Sequence, residues 1–322
     1  MITEKSNIVE SLDWLPILIE RQMTQISVVI PSYNSEDYLR STLDGIASQE
    51  FSGNFEVVLV DCSDTDKVQA IGNSYEFVKF EHVTERFTPG MGRNIGAKIA
   101  RGCLLAFVDA DVVLMPNTLE SAWQFYSSGN RVFGGALELN ERAKSTVASY
   151  FEHFYYNHEN QRGMPVSIRN NLSSALMFVE KDLFLEQQGF KDIPRVQDTE
   201  FSERLVSNGF QLGFNPEAVG LQIQDSPMCK VFRKIHISGR NLYYIRYRSL
   251  AVGGKIALFT FLPILTVLKV FRIEIRHLVY QNTRNRIIAL LLFPFFTLAG
   301  FYWMTGLYRS MIFGGGISSK RD

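Results

Sequence analysis

The chain has no surplus of charge of either sign. Its 322 residues hold 33 Lys and Arg against 33 Asp and Glu, which excludes the basic excess expected of a general nucleic-acid binder. Cysteine is scarce. Cys62, Cys103 and Cys229 stand far apart without a CxxC pair, so neither a disulfide framework nor a zinc cluster is expected. They read as ordinary buried thiols in a reducing compartment. The first 25 residues lack an unbroken apolar core, because Glu4, Glu10 and Asp13 interrupt them. No export signal is read there, and the bulk of the chain is expected to stay cytosolic. A weak amphipathic pattern (Ile8, Leu12, Leu15, Leu18, Ile19), broken by Pro16, reads as a helix packed on the main domain. No internal repeat or low-complexity tract is visible.

What is present is distributed unevenly. Between residues 229 and 286 the cations run from Lys230, Arg233, Lys234 and Arg240 to Arg284 and Arg286, with Glu274 as the single acid. Basic residues flanking apolar runs suit a surface of anionic lipid headgroups. Two such runs follow. Ile256–Leu268 is 13 uncharged residues, short for a membrane span, and Ile287–Tyr308 is 22, long enough for one. Pro263 and Pro294 are expected to kink them. One or two crossings are both compatible with this pattern. The positive-inside tendency leans toward a single crossing by the second run.

The first half of the chain alternates short apolar runs with amphipathic stretches. Strands are expected at Ile26–Ile30, Phe55–Val60, Phe77–Glu81 and Cys103–Val108. Helices are expected near Asp37–Gln49, Asp66–Tyr75 and Gly92–Arg101, and a further one near Asp192–Asn208. That alternation implies an α/β domain with a parallel sheet, whose ligands lie beyond the carboxyl ends of the strands. Pro31-Ser32-Tyr33-Asn34, Asp61 and Asp109 all fall at such ends.

Asp109-Ala110-Asp111 directly follows the apolar run Leu-Leu-Ala-Phe-Val. Two carboxylates one residue apart at a strand end suit a hard cation such as Mg²⁺ or Mn²⁺, which in turn neutralises a diphosphate. Asp61 is placed to accept a hydrogen bond from the imide N–H of a base such as uracil. Asp64 and Asp66 read instead as a helix N-cap and first-turn acid. Gly90, Gly92, Arg93, Asn94 and Gly96 open a helix, where the helix start and Arg93 suit a base or a phosphate. His153 and His158 read as packing groups rather than a metal pair.

Several motifs occur in order: Ser-Val-Val-Ile-Pro-Ser-Tyr-Asn (27–34), Val-Asp61, Gly-Arg-Asn-Ile-Gly-Ala-Lys (92–98) and Phe-Val-Asp-Ala-Asp (107–111). With Asn-Asn-Leu-Ser-Ser-Ala-Leu-Met-Phe-Val (170–179), Gln-Asp-Thr-Glu-Phe-Ser-Glu-Arg-Leu (197–205) and Asn-Pro-Glu-Ala-Val (215–219), the chain resembles family 2 of the glycosyltransferases over residues 26–225. The resemblance implies the GT-A fold, a Rossmann-like, mostly parallel sheet flanked by helices, followed here by membrane-associated helices. It implies that Pro31, Tyr33, Asp61, Arg93 and Asp109 line a nucleotide-sugar pocket and that Asp109 and Asp111 meet a Mg²⁺- or Mn²⁺-bound diphosphate. Asp198 then matches the general base of an inverting transfer. Gln197, Arg233 and Arg240 fall on the acceptor or phosphate side.

The chain departs from the family pattern twice. Gln197 stands where a Glu is common, and losing that charge should favour ionised Asp198, other things being equal. Gln222 and Gln224 stand where a His often follows, and an amide is a poorer metal partner than imidazole.

The expected organisation is an N-terminal segment (1–25), a GT-A domain (26–228), a basic juxtamembrane segment (229–255), an apolar membrane region (256–313) and a tail (314–322). The expected activity is transfer of a sugar from a UDP- or GDP-sugar to a lipid-linked or glycan acceptor in polysaccharide biosynthesis. Expected partners are that donor, that acceptor and membrane lipid, without nucleic acid. The expected location is the inner cell membrane with the enzyme domain in the cytoplasm. A non-catalytic nucleotide-sugar-binding scaffold is the alternative.

Overall fold

The computed structural model describes residues 24–143 and 145–314. The amphipathic pattern of the N-terminal segment and nearly all of the tail lie outside these residues. The first four strands are β1 (Ile26–Ser32), β2 (Phe55–Asp61), β3 (Val78–His82) and β4 (Leu104–Val108). Their connecting helices are α1 (Glu36–Ala47), α2 (Lys67–Gly72) and α3 (Pro89–Ile99). β1 pairs in parallel with β2 and β4, and β2 with β3. Every residue of β1 and β4 is buried, as expected for a parallel sheet covered on both faces. The apolar runs are continuous for that reason: helices close both sides.

Beyond β4 the sheet becomes mixed. The next elements are β5 (Val112–Leu114), α4 (Thr118–Ser127), β6 (Val132–Leu139) and α5 (Val147–Asn157). They are followed by β7 (Ser167–Arg169), β8 (Leu176–Glu180), α6 (Lys181–Glu186), α7 (Gln197–Ser207) and β9 (Leu212–Gln222). β8 enters antiparallel between β4 and β6, while β6 and β9 run parallel. The order is β3-β2-β1-β4-β8-β6-β9-β5, with β7 beside β9. Alternating apolar runs do not encode strand direction, so the antiparallel insertion of β8 was not legible in the sequence.

Helix α3 lies close on the sheet because of Gly96. A Cβ there would stand 2.3 Å from Val29 Cγ1 and 3.3 Å from Val60 Cγ2. Gly96→Val is therefore expected to destabilise the fold by roughly 1–3 kcal/mol through overpacking. A lowered denaturation midpoint checks this; an unchanged one would show that the helix has room to shift.

The C-terminal region is helical. α8 (Met228–Leu242) continues into a π-helical turn (Tyr243–Tyr247), then come α9 (Val252–Tyr280) and α10 (Thr283–Phe313). The 13-residue apolar run is thus the N-terminal part of a 29-residue helix that also carries Lys269, Arg272, Glu274 and Arg276. Both α9 and α10 are long and apolar enough to cross a membrane, and both run through their prolines. Phe151 and Phe154 of α5, Val231 and Ile235 of α8, Ile273 of α9 and Phe296 and Leu307 of α10 share one core. Among the cysteines only Cys62 is buried; Cys103 and Cys229 are exposed. That corrects the expectation of three buried thiols, because Cys103 precedes β4 and Cys229 sits on the solvent side of the first turn of α8.

Candidate active site

The carboxyl ends of β1, β2 and β4 supply three parts of one site. At β2, Asp61 is buried, and its carboxylate accepts from the Ser63 backbone N–H at 3.0 Å and from Ser63 Oγ at 2.7 Å. At β1, the Tyr33 hydroxyl reaches Asp64 at 3.3 Å, and the Arg86 guanidinium lies 4.6 Å above the Tyr33 ring. Arg86 also pairs with Asp64 at 2.6 Å. Asp64 is thus a partner of Tyr33 and Arg86 rather than a helix cap. Asp66 occupies the N-cap position of α2 but makes no side-chain capping bond. The reading of Asp64 as a helix-start acid is corrected, whereas Asp66 stands at the helix start as expected, without a side-chain bond. The short helix has no use for Asp64, while Arg86 arrives from the loop after β3, which sequence spacing did not reveal.

Helix α3 begins over the same edge. Thr88 caps it, Pro89 takes its first turn, and the Thr88 hydroxyl donates to Asp192 at 2.7 Å. Gly92 lets the helix start approach Pro31, whose Cβ would lie 3.0 Å from a Cβ at that position. Arg93, one turn in, is almost wholly buried. Its Nη2 pairs with Asp109, while Nε and Nη1 have no partner. A buried guanidinium with two unspent donors is suited to receive an anion.

Asp198 comes to this cluster from α7. Val196, just before it, has φ +62°, a left-handed conformation that a β-branched residue adopts only under constraint. The Asp198 carboxylate accepts from the Thr199 backbone N–H at 2.8 Å and from that of Ser174 at 3.3 Å. Burial pushes its pKa above the ordinary carboxylate value, and the charge of Asp109 adds to this; the two amides and Arg93 oppose it. Gln197 in place of a neighbouring Glu was expected to favour the ionised form, other things being equal; burial is the largest influence on Asp198 and acts in the opposite direction. Gln197 is itself buried and lies against Gly90, where a Cβ would be 3.2 Å from Gln197 Cγ.

Asp111 faces a second network. Burial, then the neighbouring charge of Asp109, raises its pKa to about 7, against a hydrogen bond from Gln222 and the attraction of Lys234. Its Oδ1 is enclosed and unpartnered. Gln222 ends β9 opposite Val112, and its Oε1 accepts from Asn157 Nδ2 at 2.9 Å. Asn157 in turn lies 3.1 Å from His153 Nδ1. With the Gln222 carbonyl so engaged, its amide NH₂ is left to serve Asp111. His153 and His158 are both pushed down to about 3 by burial. They act within packing and hydrogen bonds, His158 on the Tyr155 carbonyl at 2.9 Å.

Lys234 pairs with buried Glu152 at 2.7 Å and Ser226 at 2.6 Å, so the α8 cation that acts on Asp111 is Lys234. Arg233 is solvent-exposed, and Arg240 lies where α8 meets α10. Sequence reasoning missed Lys234, Glu152, Asn157 and Arg86, because none belongs to a motif with fixed spacing.

A divalent cation fits the donor set. Two adjacent carboxylates, one with an enclosed free oxygen and a raised pKa, are what such an ion relieves. Among the described residues no three His, Cys, Asp or Glu gather as a metal site. The remaining ligands of an ion at Asp109 and Asp111 would therefore be diphosphate and water oxygens, a common arrangement for Mg²⁺.

The mixed α/β sheet with its flanking helices has the GT-A fold, and comparison with known proteins agrees. Residues 27–182 match the family model of Glycosyl transferase family 2. It is 37% identical over 108 residues to the poly(ribitol-phosphate) beta-N-acetylglucosaminyltransferase TarS of Staphylococcus aureus, covering 32% of this chain and 19% of that one. It is 25% identical over 202 residues to the glycosyltransferase AglE of Haloferax volcanii, covering 61% of this chain and 66% of that one. The chain thus spans 19% of the length of one relative and 66% of the other. Among solved structures it resembles the mannosyltransferase PcManGT from Pyrobaculum calidifontis, determined with GDP-Man and Mn²⁺. The TM-score is 0.59 at 15% identity, over 91% of this chain and 88% of that one, which speaks for the fold.

Proposed function

We propose that the chain is an inverting glycosyltransferase that moves a sugar from a UDP- or GDP-sugar to a hydroxyl of a lipid-linked or polymeric acceptor at a membrane. The observation that carries this reading is the convergence of Arg93, Asp109, Asp111 and Asp198 beyond the carboxyl edge of the sheet. Tyr33 with Arg86, and Asp61, would receive the base. The two unspent donors of Arg93 would meet the donor's phosphates. Asp109 and Asp111 would hold Mg²⁺ or Mn²⁺ against the diphosphate, where the ion stabilises the charge of the departing nucleotide.

Asp198 would take the proton of the acceptor hydroxyl as its oxygen attacks the anomeric carbon from the side opposite the nucleotide. The carbon–oxygen bond to the diphosphate breaks in the same displacement, which inverts the anomeric centre. A hydroxyl acceptor is favoured because a phosphate acceptor would scarcely need a base. The name of TarS, a poly(ribitol-phosphate) beta-N-acetylglucosaminyltransferase, supports a polymeric acceptor. Exposed apolar residues along α9 and α10 support attachment to the inner membrane, with the α/β domain in the cytoplasm.

The test is turnover of a panel of UDP- and GDP-sugars by the purified full chain in lipid vesicles, with and without Mn²⁺, read by mass detection of product. Release of nucleotide from at least one donor, raised by the metal, is expected. Donor binding without turnover of any donor or acceptor would leave only a nucleotide-sugar-binding scaffold.

A further inference from the structure

We propose that α9 and α10 do not cross the bilayer but lie along it as a monotopic platform, with the turn and both outer ends on the side of the α/β domain. The inference rests on the membrane attachment proposed above and concerns how that attachment is made.

The two ends of α10 are tied to one folded body. At its start, Arg284 pairs with Glu141 at 2.6 Å and donates to the Tyr150 hydroxyl at 2.8 Å. The adjoining end of α9 is held likewise: Arg276 pairs with Glu159, and His277 Nε2 lies 3.0 Å from the Phe154 carbonyl. Near its far end α10 crosses α8 at a pair of glycines. A Cβ on Gly239 would stand 2.2 Å from the Trp303 carbonyl, and one on Gly306 2.2 Å from that of His236. Such backbone contact is possible only for glycine. Ser310 then donates to the Arg240 carbonyl at 3.1 Å. The chain after α8 returns to the α/β domain, because Arg246 in the π-helical turn that continues α8 pairs with Glu203 of α7.

Length makes the consequence definite. A helix of 31 residues is about 46 Å long at about 1.5 Å per residue, and the hydrocarbon core it would cross is about 30 Å thick. A spanning α10 would carry its two ends to opposite faces, yet both ends rest on elements of the same domain.

The charges agree. Arg272 is exposed on α9 beside Leu268, Phe271 and Ile275, within two turns of the helix midpoint. In a span it would sit deep in lipid, at a cost of about 2.5–3.5 kcal/mol or more. On a helix lying in the interface its long side chain reaches the headgroups instead. Apart from Arg272, the large exposed side chains along α9 are apolar, from Ile256 through Ile264 and Leu268 to Ile275 and Val279. Lys230 of α8 and Arg286 and Arg309 of α10 are exposed, and Lys255 is half-buried in the first turn of α9. An apolar face with basic companions suits a bilayer of anionic phospholipid.

The experiment compares the sidedness of single cysteines in the full chain. Exposed Cys103, in a chain with Cys229→Ser, reports the α/β domain; Thr283→Cys reports the turn and Phe313→Cys the far end, these two with Cys103 and Cys229 both replaced by Ser. Sealed inner-membrane vesicles are treated with a membrane-impermeant maleimide, with and without permeabilisation. The expected result is that all three react from the same side, each within about 2-fold of its rate in permeabilised vesicles, well inside the tenfold that 1.4 kcal/mol represents. Thr283→Cys reacting from the opposite side to Cys103 would establish two crossings, and Phe313→Cys doing so would establish one. Either outcome overturns the platform while leaving membrane attachment intact. Failure of the unsubstituted chain to float with phosphatidylethanolamine–phosphatidylglycerol vesicles would overturn the attachment itself. Trypsin cleavage after Arg286 in the unsubstituted chain gives the side of the turn without a substitution at that place.

Discussion

Asp198→Asn is expected to lower the transfer rate by about 10²–10⁴-fold, the range that a positioned general base contributes. The substitution keeps the size of the side chain, and its carbonyl oxygen can still accept from the Thr199 or Ser174 amide. Donor binding should therefore persist, with KM for the donor little changed while kcat falls. The pH profile of the native chain supplies a second reading of the same group. Burial holds the Asp198 pKa above the ordinary carboxylate value, and only the ionised form can take a proton. The rate should therefore fall as pH is lowered through a value above that ordinary range. Asp198→Asn should remove this acid limb along with the activity. Unimpaired transfer by the variant would remove Asp198 from the chemistry.

Asp111→Asn is expected to abolish the response of the rate to Mn²⁺ or Mg²⁺ and to cost on the order of 10²–10³-fold, several kcal/mol of lost charge stabilisation. Loss of one carboxylate leaves Asp109, which is already paired with Arg93, as the sole acid of the pair. Titration of the initial rate against metal concentration checks it; a metal response equal to that of the native chain would place the ion elsewhere. The companion variant Gln222→His separates two roles for that position. If the amide acts mainly by hydrogen-bonding Asp111 within the Asn157–Gln222 chain, the imidazole should lower activity. Tighter metal response with retained rate would instead show that the position favours a ligand.

Much of the architecture was legible in the sequence. β1, β2 and β4 are buried on both faces, so their code is a plain apolar run that ends where a polar residue meets the carboxyl edge. Asp61 and Asp109 stand at those ends, and α3 opens at the Gly-Arg-Asn segment. The direction of β8 was not legible, since an apolar run reads the same in either sense. Nor were Arg86 and Lys234, which reach the site from a loop and from the basic run of α8. Their partners, Asp64 and Glu152, are distant in sequence, and no local spacing links a residue to a partner 82 positions away.

The residue types at the strand ends, the apolar runs and the pair Asp109 and Asp111 follow from the sequence alone, because local periodicity and strand termini are properties of neighbours in the chain. The tertiary structure decided which groups share an environment. It placed Asp198 beside Arg93 and Asp109, where burial raises its pKa despite the neutral Gln197. It turned the amide of Gln222 toward Asp111 through Asn157, and it laid α10 along α8 through Gly239 and Gly306. A pKa depends on desolvation and on charges brought from elsewhere in the chain, and a helix crossing depends on two backbones meeting. Both are set only when the whole chain has closed around them.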